Sequence, residues 1–469
     1  MARPRPGTLE HLSEAAPDQL VLVEHGTDRT RTRGELDERA GSLAVALAAE
    51  HGIGHGSRVA LQADGASLEV LETVYALAKL GAVPVPIPTA VREEELAAAL
   101  RGTDAALLLS EVTVGAGGLH LATDVERLVR SAAGGARPLS GFRTAPVNVL
   151  ASAGTPTRFA QRADDRTDHA ALATVAGDLL TRARHRPSRG HLLAAPVWLP
   201  STLLHANVTL LAGGPLVLLP EFDGRRWLDA LGEHEPGTAV LTPSMVAEIL
   251  ELDPAVLEAA DTTSLDAAIV AGDHLPLPHR LAAADLLGED AVAPLYGTFE
   301  SGPIAVLHPE EVTADPGTAG RPLQGVTVEV RAEDGNAARR GTRGILHVRS
   351  PLATDGAAVP GDHGHRDEEG RLVVLGRDAT DWTSEEGRPI GTLAVEDVLM
   401  AAADVAAAVV RVGTDGRPHA RVEPRDGGSA DVAALADRVR ETLGADAVPS
   451  ALEVVPALPR DRLGRPVRG

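Results

Sequence analysis

Tyr296-Gly297-Thr298-Phe299-Glu300-Ser301-Gly302 is followed, at intervals, by Gly317-Thr318-Ala319-Gly320-Arg321-Pro322-Leu323, Gly344-Ile345-Leu346-His347-Val348, Gly361-Asp362 and Gly370-Arg371-Leu372-Val373-Val374-Leu375-Gly376-Arg377. No single run is specific; their order and spacing are. The pattern of the chain changes at Tyr296. Beyond it, residues 326–331 and 344–350 are short β-rich runs separated by the turn signal Glu333-Asp334-Gly335, and residues 371–375 close this β region. From Arg377 onward the sequence reads as a small separate domain. It has a helix over 395–403, a strand over 405–412, a helix over 431–443 and a tail.

Upstream of Tyr296 helix and strand alternate. Leu43, Ala44, Ala46 and Leu47 recur at helical spacing within residues 36–50, and residues 58–62 read as a strand. A second helix follows over about 67–80, ended by Gly81, and residues 83–87 form the next strand. Further strands are expected at 105–110, 147–151, 216–219, 239–241 and 267–271. Such alternation predicts sheets covered by helices. The fold class is therefore α/β: a large N-terminal domain of helix-covered sheets plus a distorted β region, over residues 1–376, and a small α+β C-terminal domain over 377–469.

Composition narrows the function. A chain of 469 residues exceeds one compact core, so at least two domains are expected. Hydrophobic residues make up 44% and charged ones 23%, the range of soluble globular proteins, which excludes disordered and fibrous classes. Aromatics are only 2%, so the core must be aliphatic. No apolar run reaches the roughly 18 residues of a membrane span, and Met1-Ala2-Arg3-Pro4-Arg5-Pro6-Gly7 lacks the apolar stretch of a signal peptide. Without cysteine there are no disulfides, thiolate metal sites or thiol nucleophiles, and a cytoplasmic location is the expectation. The net charge of −22 argues against nucleic acid as a partner. One basic patch, Arg182-Ala183-Arg184-His185-Arg186-Pro187-Ser188-Arg189, reads as a solvated helix end. Lys79 is the only lysine.

Three further patterns have plainer readings. Gly52, Gly54 and Gly56 follow a helix and precede a strand, the reverse of a phosphate loop at a helix N-terminus, so they read as a turn. Asp362, His363, His365 and Asp367 lie in what reads as a loop, where no helical spacing aims them at one metal. No Gly-x-Ser-x-Gly elbow offers a hydrolase nucleophile.

Taken together, the runs from Tyr296 to Arg377 resemble the second half of the large domain of the adenylate-forming superfamily: acyl-CoA synthetases, peptide-synthetase adenylation domains and luciferases. The resemblance covers nearly the whole chain. Gly34-Glu35-Leu36, Lys79-Leu80-Gly81-Ala82-Val83 with Val85-Pro86, and Leu211-Ala212-Gly213-Gly214 are similar to its N-terminal region, and Leu458-Pro459-Arg460 with Gly464-Arg465 and Arg468 to its C-terminal tail. The resemblance implies ATP or AMP and Mg²⁺ as cofactors, a small carboxylic acid or its acyl-adenylate as substrate, and CoA or a carrier protein as acceptor. It implies a nucleotide site at Gly272, Tyr296, Gly297, Thr298, Asp362 and Arg377, with Tyr296 near adenine and Asp362 and Arg377 on the ribose. Glu300 would face Mg²⁺ and phosphate, and Glu300 and Arg465 would be the catalytic residues. A boundary at Arg377 lets the small domain rotate between half-reactions, and the family's hinge residue falls near Asp378-Ala379.

The chain also departs from that pattern. The phosphate loop of the family is rich in Ser, Thr and Gly and ends in Gly-x-Pro-Lys. Here the aligned residues are Val149-Leu150-Ala151-Ser152-Ala153-Gly154-Thr155-Pro156-Thr157-Arg158. Phe299 replaces a threonine that touches phosphate, Leu199 replaces the histidine of a Pro-x-x-His motif at Pro196-Val197-Trp198-Leu199, and Arg465 replaces a lysine. Arginine keeps the charge but is planar and bulkier than an ammonium. Groups for the triphosphate and its cleavage are eroded, while those for adenine and ribose remain. Three readings stay open: an ATP-dependent ligase with divergent chemistry, a non-catalytic homologue acting through a partner, and an acyl transferase using preformed acyl-adenylate.

Overall fold

The computed structural model describes residues 9–113, 118–132, 169–314, 317–332, 334–353, 356–377, 389–413 and 417–467. The expected strand over 147–151, the phosphate-loop segment, the hinge at Asp378-Ala379, and Arg468 lie outside them. The chain forms two compact units. One contains Met1–Thr167, His185–Leu241 and Leu252–Ala268; the other contains Asp168–Arg184, Thr242–Glu251 and Ile269–Gly469.

In the first unit, four parallel strands run in the order Val83–Ile87, Arg58–Gln62, Leu107–Ser110, Gly118–His120. A second set runs Thr238–Leu241, His191–Leu193, Leu216–Leu218, Leu20–Glu24, Thr30–Thr32, parallel except for the last, antiparallel pair. Parallel strands need crossovers, which explains the alternation in the sequence. The first long helix starts at Arg33, not at 36. Thr32 accepts from the Glu35 amide at 3.2 Å while the Glu35 carboxylate accepts from the Thr32 amide at 2.8 Å, and this capping box fixes the start three residues earlier than the apolar spacing does. Gly52, at φ +66°, ends the helix at His51, and the glycines after it form a turn into the strand at Arg58.

The core here is Leu, Val and Ala, as the scarcity of aromatics requires, with Trp227 and Tyr75 its largest fully buried side chains. The helix Leu68–Leu80 is buried nearly all round and still carries charge. Each buried charge has partners. Glu72 accepts from Arg31 at 2.8 Å and from Arg39 at 2.6 Å. Lys79 donates to Glu10 at 2.5 Å and to Asp37 at 2.6 Å, with its side chain fully buried. Removing one partner of such a pair would leave the other charge buried and uncompensated.

The arginines of the basic patch are all paired: Arg182 with Asp178, Arg184 with Asp290 and Glu310, and Arg186 and Arg189 with Asp266. Their charge is neutralised locally.

In the second unit, Val292–Thr298, Gly302–Val306 and Arg321–Pro322 are antiparallel neighbours. Thr327–Arg331, Gly344–Arg349, His363–Arg366 and Leu372–Gly376 form a separate sheet, with Ala357–Ala358 paired to its second strand. Residues 363–366 are thus a strand and not the loop expected from sequence. His-Gly-His-Arg has little intrinsic β preference, and pairing on both sides imposes the conformation. Beyond residue 389 comes a smaller α+β domain. The strands Val405–Val412, Pro418–Pro424 and Ala451–Val454 carry the helices Thr392–Met400 and Val432–Leu443 over a core of Val395, Leu399, Val410, Val422, Leu435 and Val439. Among the described residues no helix is long and apolar enough to cross a membrane.

Candidate active site

The antiparallel pair Val292–Thr298 and Gly302–Val306 reverses over Phe299, Glu300 and Ser301. The reversal is tight because Gly297 faces Gly302: a Cβ on Gly297 would stand 2.6 Å from the Gly302 carbonyl oxygen, closer than atoms allow. Thr298 Oγ1 lies 2.9 Å from Ser301 Oγ and accepts from the Ser301 amide at 3.3 Å, so its hydroxyl stabilises the turn from within. Glu300 sits half-buried at the tip of the reversal.

Tyr296 lies within the strand Val292–Thr298, one residue before Gly297, and its hydroxyl donates to Asp362 Oδ2 at 2.7 Å. Asp362 immediately precedes the strand His363–Arg366 and is buried. Its other oxygen, Oδ1, accepts from Arg377 Nε at 3.1 Å. Arg377 follows the strand Leu372–Gly376 and is mostly exposed. Burial, and then the adjacent Asp362 carboxylate, push the Tyr296 phenol well above its ordinary range, so it remains a donor at any working pH. A carboxylate offers about four lone-pair sites. Tyr296 and Arg377 occupy one on each oxygen and fix the orientation of the carboxylate, leaving one on each oxygen for two hydroxyl donors held side by side. A vicinal diol meets that demand.

A second grouping joins Gly272 and Arg465. One guanidinium nitrogen of Arg465 donates to the Gly272 carbonyl at 2.9 Å, and Nε donates to Asp461 Oδ2 at 2.7 Å. Gly464 comes against the helix Pro243–Leu250. A Cβ there would lie 2.9 Å from Ser244 Cβ, and the residue has φ +72°, so glycine is required twice over. The Ser244 hydroxyl also donates to the Leu463 carbonyl. The tail carrying Arg465 is thereby held in place. Next to Gly272, His274 Nε2 lies 2.8 Å from Asp397 Oδ1, which also accepts from the Leu277 amide at 3.0 Å.

The hydrogen bonds therefore gather the predicted residues into two groups, Tyr296–Asp362–Arg377 and Gly272–Arg465, with Gly297, Thr298 and Glu300 in the turn beside Tyr296. Sequence reasoning missed Asp461, Ser244 and the His274–Asp397 pair. Asp461 had a visible signal in its spacing of four residues from Arg465. Ser244 and Asp397 had none, since their partners are more than a hundred positions away. The metal possibility at 362–367 is not supported. Asp362 is taken by Tyr296 and Arg377, Asp367 by Arg371, and no three of these side chains converge. Leu199 is buried at the start of the helix Pro200–Leu211, and the neighbouring Trp198 indole donates to Asp64 at 2.9 Å.

Residues 9–159 and 166–356 match the AMP-binding enzyme family, and residues 394–465 match the AMP-binding enzyme C-terminal domain. The chain is 26% identical over 496 residues to a 2-succinylbenzoate–CoA ligase of Bacillus velezensis, covering 100% of this chain and 98% of that protein. An indoleacetate–CoA ligase of Aromatoleum aromaticum is 27% identical over 276 residues, a match that takes in 55% of this chain and only 53% of that protein. The fold is shared with the O-succinylbenzoate coenzyme A synthetase of Bacillus subtilis solved in complex with AMP, at a TM-score of 0.81 and 22% identity over 99% of this chain and 98% of that one. The family match spans most of the large domain and nearly all of the small one, and on that ground the chain belongs to the AMP-binding enzymes of the adenylate-forming superfamily.

Proposed function

We propose that the chain is an acid–thiol ligase of divergent chemistry, which binds an adenosine nucleotide and activates a small carboxylic acid as its acyl-adenylate. The observation that carries this reading is the orientation of Asp362 by Tyr296 and Arg377, with acceptor capacity left for a ribose diol. In this reading a carboxylate oxygen of the acid attacks the α-phosphorus of ATP, pyrophosphate leaves, and a thiol of CoA or of a carrier protein then displaces AMP. Arg465 supplies positive charge where negative charge develops at the α-phosphate. The carboxylate of Glu300 suits Mg²⁺, which would neutralise phosphate charge when bound. We further place the domain boundary at Arg377, with the small domain rotating about it.

Specific residues favour a second reading. Leu199 offers no proton and Phe299 no hydroxyl to phosphate, so transfer from a preformed acyl-adenylate, which needs no pyrophosphate contact, is the alternative. Calorimetric titration with ATP–Mg²⁺, AMP and a non-hydrolysable acyl-adenylate separates the cases. Micromolar ATP binding supports the ligase. Binding of the adenylate without ATP supports transfer. Silence for all three leaves only a non-catalytic role through a partner.

Pyrophosphate exchange tests the chemistry directly. If the ligase reading holds, Arg465→Ala is expected to lower exchange by about 10²-fold or more, the cost of removing a preorganised donor from a developing charge. Arg465→Lys should raise it modestly by restoring a compact ammonium. Exchange at background in the wild type and both variants would overturn adenylation by this chain.

A further inference from the structure

His25, Glu233 and His234 belong to the first unit, apart from any residue assigned to the nucleotide. His25 follows the strand Leu20–Glu24, and its amide donates to the Leu218 carbonyl at 2.9 Å, which locks its backbone to the sheet. His234 is the last residue of the helix Gly224–His234, which Asp223 caps at its start and Glu235, in the left-handed conformation, ends. The ligand atoms of three side chains converge between the two elements. His25 Nδ1 lies 3.2 Å from His234 Nε2 and 3.5 Å from Glu233 Oε2, and His234 Nε2 lies 3.6 Å from Glu233 Oε1. The rings meet edge to face, with centroids 5.4 Å apart and planes at 89°. Among the described residues this is the one group of three such ligands whose atoms could share a metal ion.

We infer that His25, His234 and Glu233 form a binding site for a divalent transition-metal ion of the Zn²⁺ type. The spacing is the first argument. A tetrahedral ion with bonds of about 2.0–2.1 Å sets neighbouring ligand atoms about 3.3–3.4 Å apart. That is close to the 3.2 Å between the two imidazole nitrogens, and Glu233 brings one carboxylate oxygen to within 3.5 or 3.6 Å of each of them. Ligand chemistry is the second. Two imidazoles and one carboxylate suit Zn²⁺ and its neighbours in the transition series, whereas Mg²⁺ prefers oxygen alone. Electrostatics is the third. The C-terminal end of a helix favours a cation, and His234 closes the helix Gly224–His234. Glu233 and Asp229 place negative charge beside His25, and Arg226 positive charge. His25 is buried and Glu233 largely exposed, so an ion can enter from solvent and keep water at its remaining position. The site clips the turn after the first strand to the end of the helix. It is a structural ion, independent of the nucleotide reading.

The test uses the untagged full-length chain after chelation. Co²⁺ should give a visible ligand-field band at one equivalent, displaced by Zn²⁺, and Zn²⁺ should raise the melting temperature. His25→Ala and His234→Ala should each weaken Zn²⁺ binding by more than about 100-fold, since even the partners that merely orient a ligand are worth about 10–100-fold. Should either fail to fold, His234→Asn is the substitute, read together with the wild type, in which Zn²⁺ should protect His25 and His234 from carbethoxylation in peptide mass spectra. Absence of the Co²⁺ band, Zn²⁺ affinity unchanged in His234→Asn, or unprotected His25 and His234 would overturn the site.

Discussion

Asp362→Ala is expected to weaken AMP binding by about 1.5–3 kcal/mol, the range for hydrogen bonds to a charged group. That is a loss of roughly 10- to 150-fold in affinity. The effect has two sources. The acceptors for the diol disappear, and the Tyr296 hydroxyl and Arg377 lose the group that orients them. Asp362→Asn separates these sources. It keeps one carbonyl acceptor and replaces the other by an amide donor, so it should fall between wild type and alanine. Tyr296→Phe removes one donor to the carboxylate and leaves its charge, and should cost less than either. Calorimetry with AMP measures all three, and an unchanged affinity in Asp362→Ala would remove the ribose assignment.

Acidification is expected to destabilise the first unit steeply, because three buried imidazoles are stacked within it. His185 and His205 lie with centroids 5.0 Å apart, and His191 completes the stack at 5.6 and 6.0 Å from them. The Nδ1 atoms of His185 and His205 are 3.0 Å apart, so one proton serves both. His185 Nε2 pairs with Thr209 and His191 Nδ1 with Thr238, while Nε2 of His191 and of His205 have no hydrogen-bond partner among the described residues. Burial lowers His185 to about 4 and His205 to about 3, and holds His191 well below its ordinary value. All three are neutral in the native state, so unfolding takes up protons at any pH below about 6.5. Their contribution is fully present above that value and is lost as pH falls toward about 4. Each proton taken up costs about 1.4 kcal/mol per pH unit, so three together cost up to about 4 kcal/mol per unit.

Two carboxyls of the first unit, Glu111 and Asp37, are raised by burial and oppose this trend. Burial lifts Glu111 to about 7, so its contribution to stability falls as pH rises from about 4.5 to 7. The comparison is therefore between the wild type and His205→Leu, which share both carboxyls. Urea unfolding at pH 7, 6 and 5 should show a shallower acid slope in the variant, by up to about 1.4 kcal/mol per pH unit, the share of one imidazole. Parallel slopes would show that the stack is not what makes the protein acid-labile.

Local chemistry was readable wherever it acts over a few residues. Gly81 at the end of one helix, the turn at Gly52 to Gly56, and the motif residues from Tyr296 to Arg377 all lie within short windows. The first long helix starts three residues before its apolar spacing does, because the Thr32–Glu35 capping box, a polar signal, sets its N-terminal end. The strand at His363–Arg366 was missed because its conformation comes from neighbours on both sides. The pairings that shape the candidate site are of a different kind. Arg465 reaches Gly272 across 193 positions and His274 reaches Asp397 across 123, and no periodicity encodes contacts at such separation. The histidine stack was illegible for a related reason. His185 and His191 sit on either side of a short helical turn and His205 on the next helix, and only their packing brings the rings together.

Lys79 makes this protein its own unfolding gauge. It is the only lysine in the sequence, and its amine is buried and shared between Glu10 and Asp37. An amine-selective acylating reagent therefore finds no lysine side chain on the native surface. It can modify Lys79 only in molecules whose N-terminal core has opened. The rate at which that one peptide gains mass then reports the frequency of opening at a single known atom, without a mutation or an attached dye.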